Sequence, residues 1–355
     1  MGFDERFHSV FANRGGQSSR SHPLIDRVQA RAAELVDWIR RDPKTRPTMP
    51  TVVTGCIAND SVNCCSAIED GVAFLGIYEG GILVLWDLFR RMFANQNAFP
   101  GVGSARNEED VATLPMPTFD LQELVNQLRT LTPPTPRDDA RCEMADAFFR
   151  VSLDFMIRHD LAHIMNGHIL LVKERKYGMT VDDIRPSAGP HFRQTLEMDA
   201  DAVTVCDFLM DDLKALQRPC DHKREHEIGT RIQLKLSAIY CALRLYGFGK
   251  NEKDKVSPSP ASRRNMIAGT ACTYFLHHLG EDRMDRLVPF IAGAGPLSEE
   301  AFAAISGLTI PKPELRSSLA PEAFQWELAI AHQWNELYPD LFRLAFSDRL
   351  IGPPR

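Results

Sequence analysis

The stretch from Phe155 to Leu170, FMIRHDLAHIMNGHIL, constrains this chain more than any other part of it. It lies in a segment that is apolar over much of a helical circumference, so Cys142 to Arg175 reads as one long, largely buried helix. Within it His159 and His163 stand four residues apart, with Asp160 directly after the first. Positions i and i+4 share a helix face, so both imidazoles can address one point in space. At about 100° per residue the two histidines differ by about 40°, and Asp160 lies about 100° from His159 and about 60° from His163. Two nitrogen donors on one face are the way a zinc hydrolase presents ligands, and the adjacent acid is placed to act on a metal-bound water. That acid is usually glutamate, and here it is aspartate.

A third ligand is expected from the next helix, read as His191 to Leu216, which carries Leu196-Glu197-Met198-Asp199-Ala200-Asp201-Ala202. Glu197 and Asp201 again share a face. A carboxylate at Glu197 completes a His–His–Glu zinc site with the fourth position open. Asp201, one turn further, is placed to accept the free ring N–H of a ligand histidine and fix its tautomer. The small Ala200 lets the two helices approach closely. An acidic, solvated helix face is the competing account of Glu197, Asp199 and Asp201.

HDLAHIMNGH followed by EMDAD resembles the H-E-x-x-H … E-x-x-A-D arrangement of gluzincin-type zinc metallopeptidases. The continuation Asn166-Gly167-His168 is similar to the phage-exclusion and membrane-protease-like branches of that group. The resemblance implies zinc held by His159, His163 and Glu197, with Asp160 as general base and peptide-bond hydrolysis as the reaction. It extends weakly to Ser257–Arg264, which is similar to an H-P-x-x-x-x-R segment with Ser257 in place of the histidine. By analogy with the family, a strand edge among Thr51–Ala58 and Gly71–Tyr78 would hold an extended substrate by backbone pairing.

Asp160 sets this chain apart, because its side chain is one methylene, about 1.5 Å, shorter than glutamate. A misplacement of about 1 Å costs on the order of a hundredfold in rate, so a zinc-stabilised, non-catalytic interaction protein is the first alternative. An HD-type metal-dependent phosphohydrolase would use the same His159–Asp160 dyad, but it needs an upstream histidine and none occurs between His22 and His159. A di-iron bundle would need paired E-x-x-H motifs, of which Asp160–His163 is one weak half. His168 falls about 180° from His159 on the wheel, so it reads as a histidine that faces solvent or stands behind the ligands unless the helix bends at Gly167. Cys220, His222 and His226 in CDHKREHE read as an exposed connector rather than a second metal cluster, and His277, His278 and His332 as core or surface histidines. Arg263 and Arg264 are candidates for binding substrate, with helix-start surface charge as the plainer reading.

Around this centre the chain reads as a helix-dominated α+β protein: a small early β-sheet packed on the buried metal-site helix, with a helical C-terminal half. Residues 1–22 read as a flexible arm, 23–216 as the metallopeptidase-like core, and 217–355 as a helical region packed on it. Pro23–Arg41 has helical periodicity; Thr51–Ala58 and Gly71–Tyr78 read as strands joined by a polar turn region. Gly81–Phe93 and Phe119–Leu131 read as helices, and Thr132–Arg137 as a break. The apolar run Gly71–Phe89 carries Glu79 and Gly80–Gly81, so it reads as a strand and buried helix rather than a membrane span. A net charge of −6 gives no footprint for nucleic acid or an anionic membrane, and a peptide or protein substrate is the partner that the resemblance implies. The N-terminus shows no apolar signal segment, and the 8 scattered cysteines read as reduced thiols, which together place the chain in the cytoplasm.

Overall fold

The structure, a computed structural model, describes residues 2–19, 22–109, 121–129, 133–189, 191–246, 259–306 and 321–348. Its architecture is the helix-dominated α+β arrangement expected, with eleven α-helices and a three-stranded sheet among the described residues.

Pro23–Arg41 (α2, following α1 at Phe3–Val10) has proline in its first turn and His22 accepting from the Leu24 amide, both of which favour initiation. Its buried stripe, Leu24, Ile25, Val28, Ala32, Leu35, Val36 and Ile39, has the helical spacing read from the sequence. The sheet follows: β1 (Thr51–Ile57), β2 (Cys64–Glu69) and β3 (Val72–Tyr78) in the order β1-β3-β2. β1 runs parallel to β3, and β2 antiparallel to it. Two strands were expected and three are present, because the polar turn region contains β2. The turn into β3 is Asp70-Gly71 with φ of 46° and 74°, the two successive positive values of a tight hairpin turn.

Period-2 alternation splits the sheet residues between two packing partners. Cys56, Cys64, Ile68, Ala73, Leu75 and Ile77 join the main core, while Ile57, Cys65, Ala67, Phe74 and Tyr78 cover Phe7 and Phe11. The first residues are therefore not the flexible arm expected from their polar composition. They form α1 and a 3₁₀ turn, and they anchor Phe7 and Phe11, at most 1% exposed, beneath the sheet.

β3 leads directly into the buried α3 (Glu79–Phe93), as the interrupted apolar run foretold. After α4 (Leu121–Leu128) comes α5 (Asp139–Met165), started by the Asp138 carboxylate accepting the Arg141 amide. Every residue of α5 from Ser152 to Met165 except Arg158 is buried. This helix lies between two apolar clusters: Met156, Ile157, Leu161 and Ile164 belong to the first, and Phe155 to the second. The second cluster is built from α7 (Phe192–Gln217), α8 (His222–Tyr246), α9 (Pro260–Leu279) and α10 (Glu281–Ser306). The final helix, α11 (Pro321–Leu344), packs on α7 and on α6 (His168–Glu174). Among the described residues no helix is long and apolar enough to cross a membrane.

The expected single helix Cys142–Arg175 is in fact two. α5 stops at Met165, Gly167 takes a left-handed φ of 78°, and α6 starts at His168. The Asn-Gly pair supplies that conformation at low cost, while the apolar pattern continues on both sides and hides the break. The expected connector Arg218–Glu227 is shorter than read, since α8 already starts at His222. Phe119, Leu131, Thr132 and Ser257 lie outside the described residues.

Candidate metal centre

The C-terminal half of α5 and the N-terminal half of α7 meet over a cleft whose other walls are Asn63–Ser66, at the start of β2, and Thr180–Asp182. Its empty volume is about 580 Å³, part of it open to solvent. His159, His163 and Glu197 converge here: one donor atom from each falls within a span of 4.8 Å. His159 Nε2 lies 3.1 Å from His163 Nε2 and 3.2 Å from Glu197 Oε2. Two ligands each about 2.0–2.1 Å from a tetrahedral zinc ion stand roughly 3.3 Å apart, so the spacing fits such an ion. All three residues are buried, as a cluster competent to hold a metal requires.

The partners on the outer side of each ring test the fit further. His159 Nδ1 lies 2.8 Å from Asp201 Oδ1, and Arg263 holds both oxygens of that carboxylate through Nε (2.8 Å) and Nη2 (2.6 Å). His163 Nδ1 lies 2.8 Å from His168 Nδ1, and His168 Nε2 lies 3.1 Å from Asp199 Oδ2. With Nδ1 facing outward on both rings, toward Asp201 and His168, neutral imidazoles would turn their Nε2 lone pairs toward the Glu197 carboxylate. Three acceptors that close need a cation or a proton between them, and the donor set of two imidazoles and one carboxylate suits zinc.

Ionisation in the metal-free chain follows the same logic. Burial disfavours charge on His159, but the Asp201 and Glu197 carboxylates overcome it and raise its pKa to about 10. Burial, reinforced by His159 and His168, pushes His163 far below its ordinary value and keeps that ring neutral. For Glu197 burial opposes ionisation, and contact with His159 and Arg193 more than offsets it. Asp201 is likewise held low against burial by Arg263 and His159. Asp160 behaves differently: burial raises its pKa to about 7, with His159 pulling it down and Asp182 and Glu197 pushing it up. Its Oδ1 accepts a bond from Ser66 Oγ at 3.3 Å.

Asp160, His159, His163 and Glu197 thus share one cleft, and Asp201 takes the position beside His159 that was expected of it. His168 stands beside the site because the chain bends at Gly167, which removes it from the straight helical wheel. Arg263 is a largely buried partner of Asp201 rather than a surface charge. His222, His277, His278 and His332 are exposed. The His159–His163–Glu197 group is the one metal-competent cluster among the described residues.

Several cleft residues escaped the sequence reading. Arg193, one turn before Glu197, reaches Glu197 Oε1 at 3.5 Å and Asp182 Oδ1 at 2.5 Å; its i,i+4 spacing from Glu197 was a usable signal. Asp182 also takes Asn63 Nδ2 at 3.1 Å and Arg14 Nη1 at 3.4 Å, ties between distant segments that no local pattern announces. Of the two strands expected to offer an edge, β1 lies at the edge of the sheet and β3 at its centre. The strand bordering the cleft is β2, which pairs with no further strand on its outer side among the described residues.

No family model matches this chain, and neither a curated protein nor a solved structure proves similar to it. What fold and site define is a class: a helix-dominated α+β chain with a buried cluster of two histidines and one glutamate that can hold a metal ion.

Proposed function

We propose that this protein is a zinc-dependent hydrolase that cleaves peptide bonds. The convergence of His159, His163 and Glu197, with Asp160 in the same cleft, carries the reading. Bound there, zinc would supply Lewis-acid polarisation of a carbonyl and a water acidified toward neutral pH. Asp160 is the general base. Its carboxylate lies in the same cleft and can accept a proton from the attacking water and return it to the leaving amine. Asp201 and Arg263 hold the ring of His159, and Arg193 steadies Glu197. The outer side of β2 at Asn63–Ser66 offers backbone groups to an extended peptide. Eight unpaired cysteines agree with a reducing, cytoplasmic setting.

A zinc-bound interaction protein without catalysis is the second reading. It is favoured by the short reach of Asp160 and by the engagement of its carboxyl with Ser66. Incubation with a mixed peptide library, followed by mass spectrometry, separates the two. The hydrolase cleaves a subset of peptides, loses that activity to a zinc chelator and regains it on adding zinc. Folded, zinc-loaded protein that leaves every peptide intact supports the interaction protein instead.

A further inference from the structure

Among the polar residues behind the triad, one chain of contacts has no role in the scheme above. Asn166 Nδ2 donates to Asp199 Oδ2 at 2.6 Å, Asp199 Oδ2 stands 3.1 Å from His168 Nε2, and His168 Nδ1 stands 2.8 Å from His163 Nδ1. All four residues are buried, and His168 is fully inaccessible to solvent. The order of protons along this chain follows from its charged end. The Asp199 carboxylate is the charge that faces His168 Nε2, at 3.1 Å and without hydrogen-bond geometry, and it favours the proton on that nitrogen, which makes Nδ1 the acceptor. His163 must supply the proton between the two Nδ1 atoms, which leaves its Nε2 lone pair facing His159 and Glu197.

The C-terminal segment holds this chain in place. The Phe346 amide donates to the Met165 carbonyl at 2.7 Å, and Arg46 ties down the Ala345 carbonyl at 2.8 Å. A Cβ at Gly167 would stand 2.8 Å from the Leu344 backbone, so the turn that aims His168 fits directly against the end of α11. The two ligand histidines are thereby supported unequally: His159 meets a carboxylate directly, and His163 meets one through a second imidazole.

We infer that His168 and Asp199 are positioning residues for the metal. They fix His163 as an Nε2 donor, and the C-terminal segment, which contributes no ligand, keeps them aligned. The inference rests on the metal-binding reading of His159, His163 and Glu197. Its role is distinct from packing, because it depends on an acceptor at the position of His168 Nδ1 and a donor at that of Nε2.

The test is zinc affinity of the full-length protein, stripped of metal and titrated against a chromophoric chelator, with the visible spectrum of the cobalt-substituted protein as a second readout. His168→Leu keeps the volume and removes both polar atoms, and zinc affinity is expected to fall by about 10- to 100-fold. His168→Gln supplies an amide oxygen and an amide N–H, and it should recover most of the loss together with the wild-type cobalt spectrum. Wild-type affinity in His168→Leu, or equal weakening in both variants, overturns the inference alone. Should His168→Leu fail to fold, Asp199→Asn, nearly isosteric and lacking the charge, carries the same test: weakening by about tenfold supports the inference and unchanged affinity overturns it. Wild-type protein that takes up no zinc overturns the metal reading, and this inference with it.

Discussion

Asp160→Ala is expected to lower peptide hydrolysis by about 10²- to 10⁴-fold, the usual contribution of a positioned general base, while zinc content stays at the wild-type level. The separation follows from the geometry. Asp160 belongs to the cleft, yet the three converging donor atoms come from His159, His163 and Glu197. Its contact with Ser66 is a single bond at 3.3 Å, so the carboxylate keeps acceptor capacity for a second partner. Parallel measurement of kcat and of bound zinc decides the matter. A variant as active as wild type removes Asp160 from the chemistry, and a variant that loses its zinc assigns the residue to the metal instead.

Arg141→Met is expected to destabilise the fold by about 3–5 kcal/mol, read as a fall in the urea midpoint at unchanged slope. Arg141 is 0% exposed, and all five of its N–H groups are used on backbone carbonyls: Phe93 through Nε, Phe99 and Val102 through Nη1, Asn95 and Ala98 through Nη2. These bonds gather the chain after α3 around one guanidinium. Removing it leaves buried acceptors without donors, each costing about 1–3 kcal/mol where water cannot replace the bond. Methionine keeps much of the volume, which confines the loss to the polar contacts. A change below about 1 kcal/mol would mean that this segment satisfies its carbonyls another way.

Local chemistry made much of this molecule legible before its structure. α2 occupies the span its periodicity gave, and the strand-then-helix reading of Gly71–Phe89 is met by β3 and α3. The convergence of His159, His163 and Glu197 was legible because i,i+4 spacing fixes His159 to His163, and the third member of the cluster sat in a short acidic run. What escaped depends on long-range geometry or on signals that composition masked. β2, CCSAIE, is short and almost wholly buried, so it lacks the polar alternation of a half-exposed strand; the Asp70-Gly71 pair was the available hairpin signal. Phe7 and Phe11 have helical spacing, but the polar residues around them suggested an arm. Asp199 lies about 200° around α7 from Glu197, which on a wheel alone sends it away from the site. It stands behind the candidate metal centre only because α6 turns back at Gly167 and brings His168 to meet it. Arg141 resembles any other helix-start arginine until the loop after α3 is seen wrapped around it.

The central claim is that three side chains from two helices form one metal site. Metal analysis of the purified full-length protein beside Glu197→Ala tests it most directly. Close to one zinc per chain in the wild type, and a loss of most of it in folded Glu197→Ala, is the predicted result. Wild-type protein without stoichiometric zinc after exposure to the metal, or a Glu197→Ala protein that retains it fully, would contradict the account.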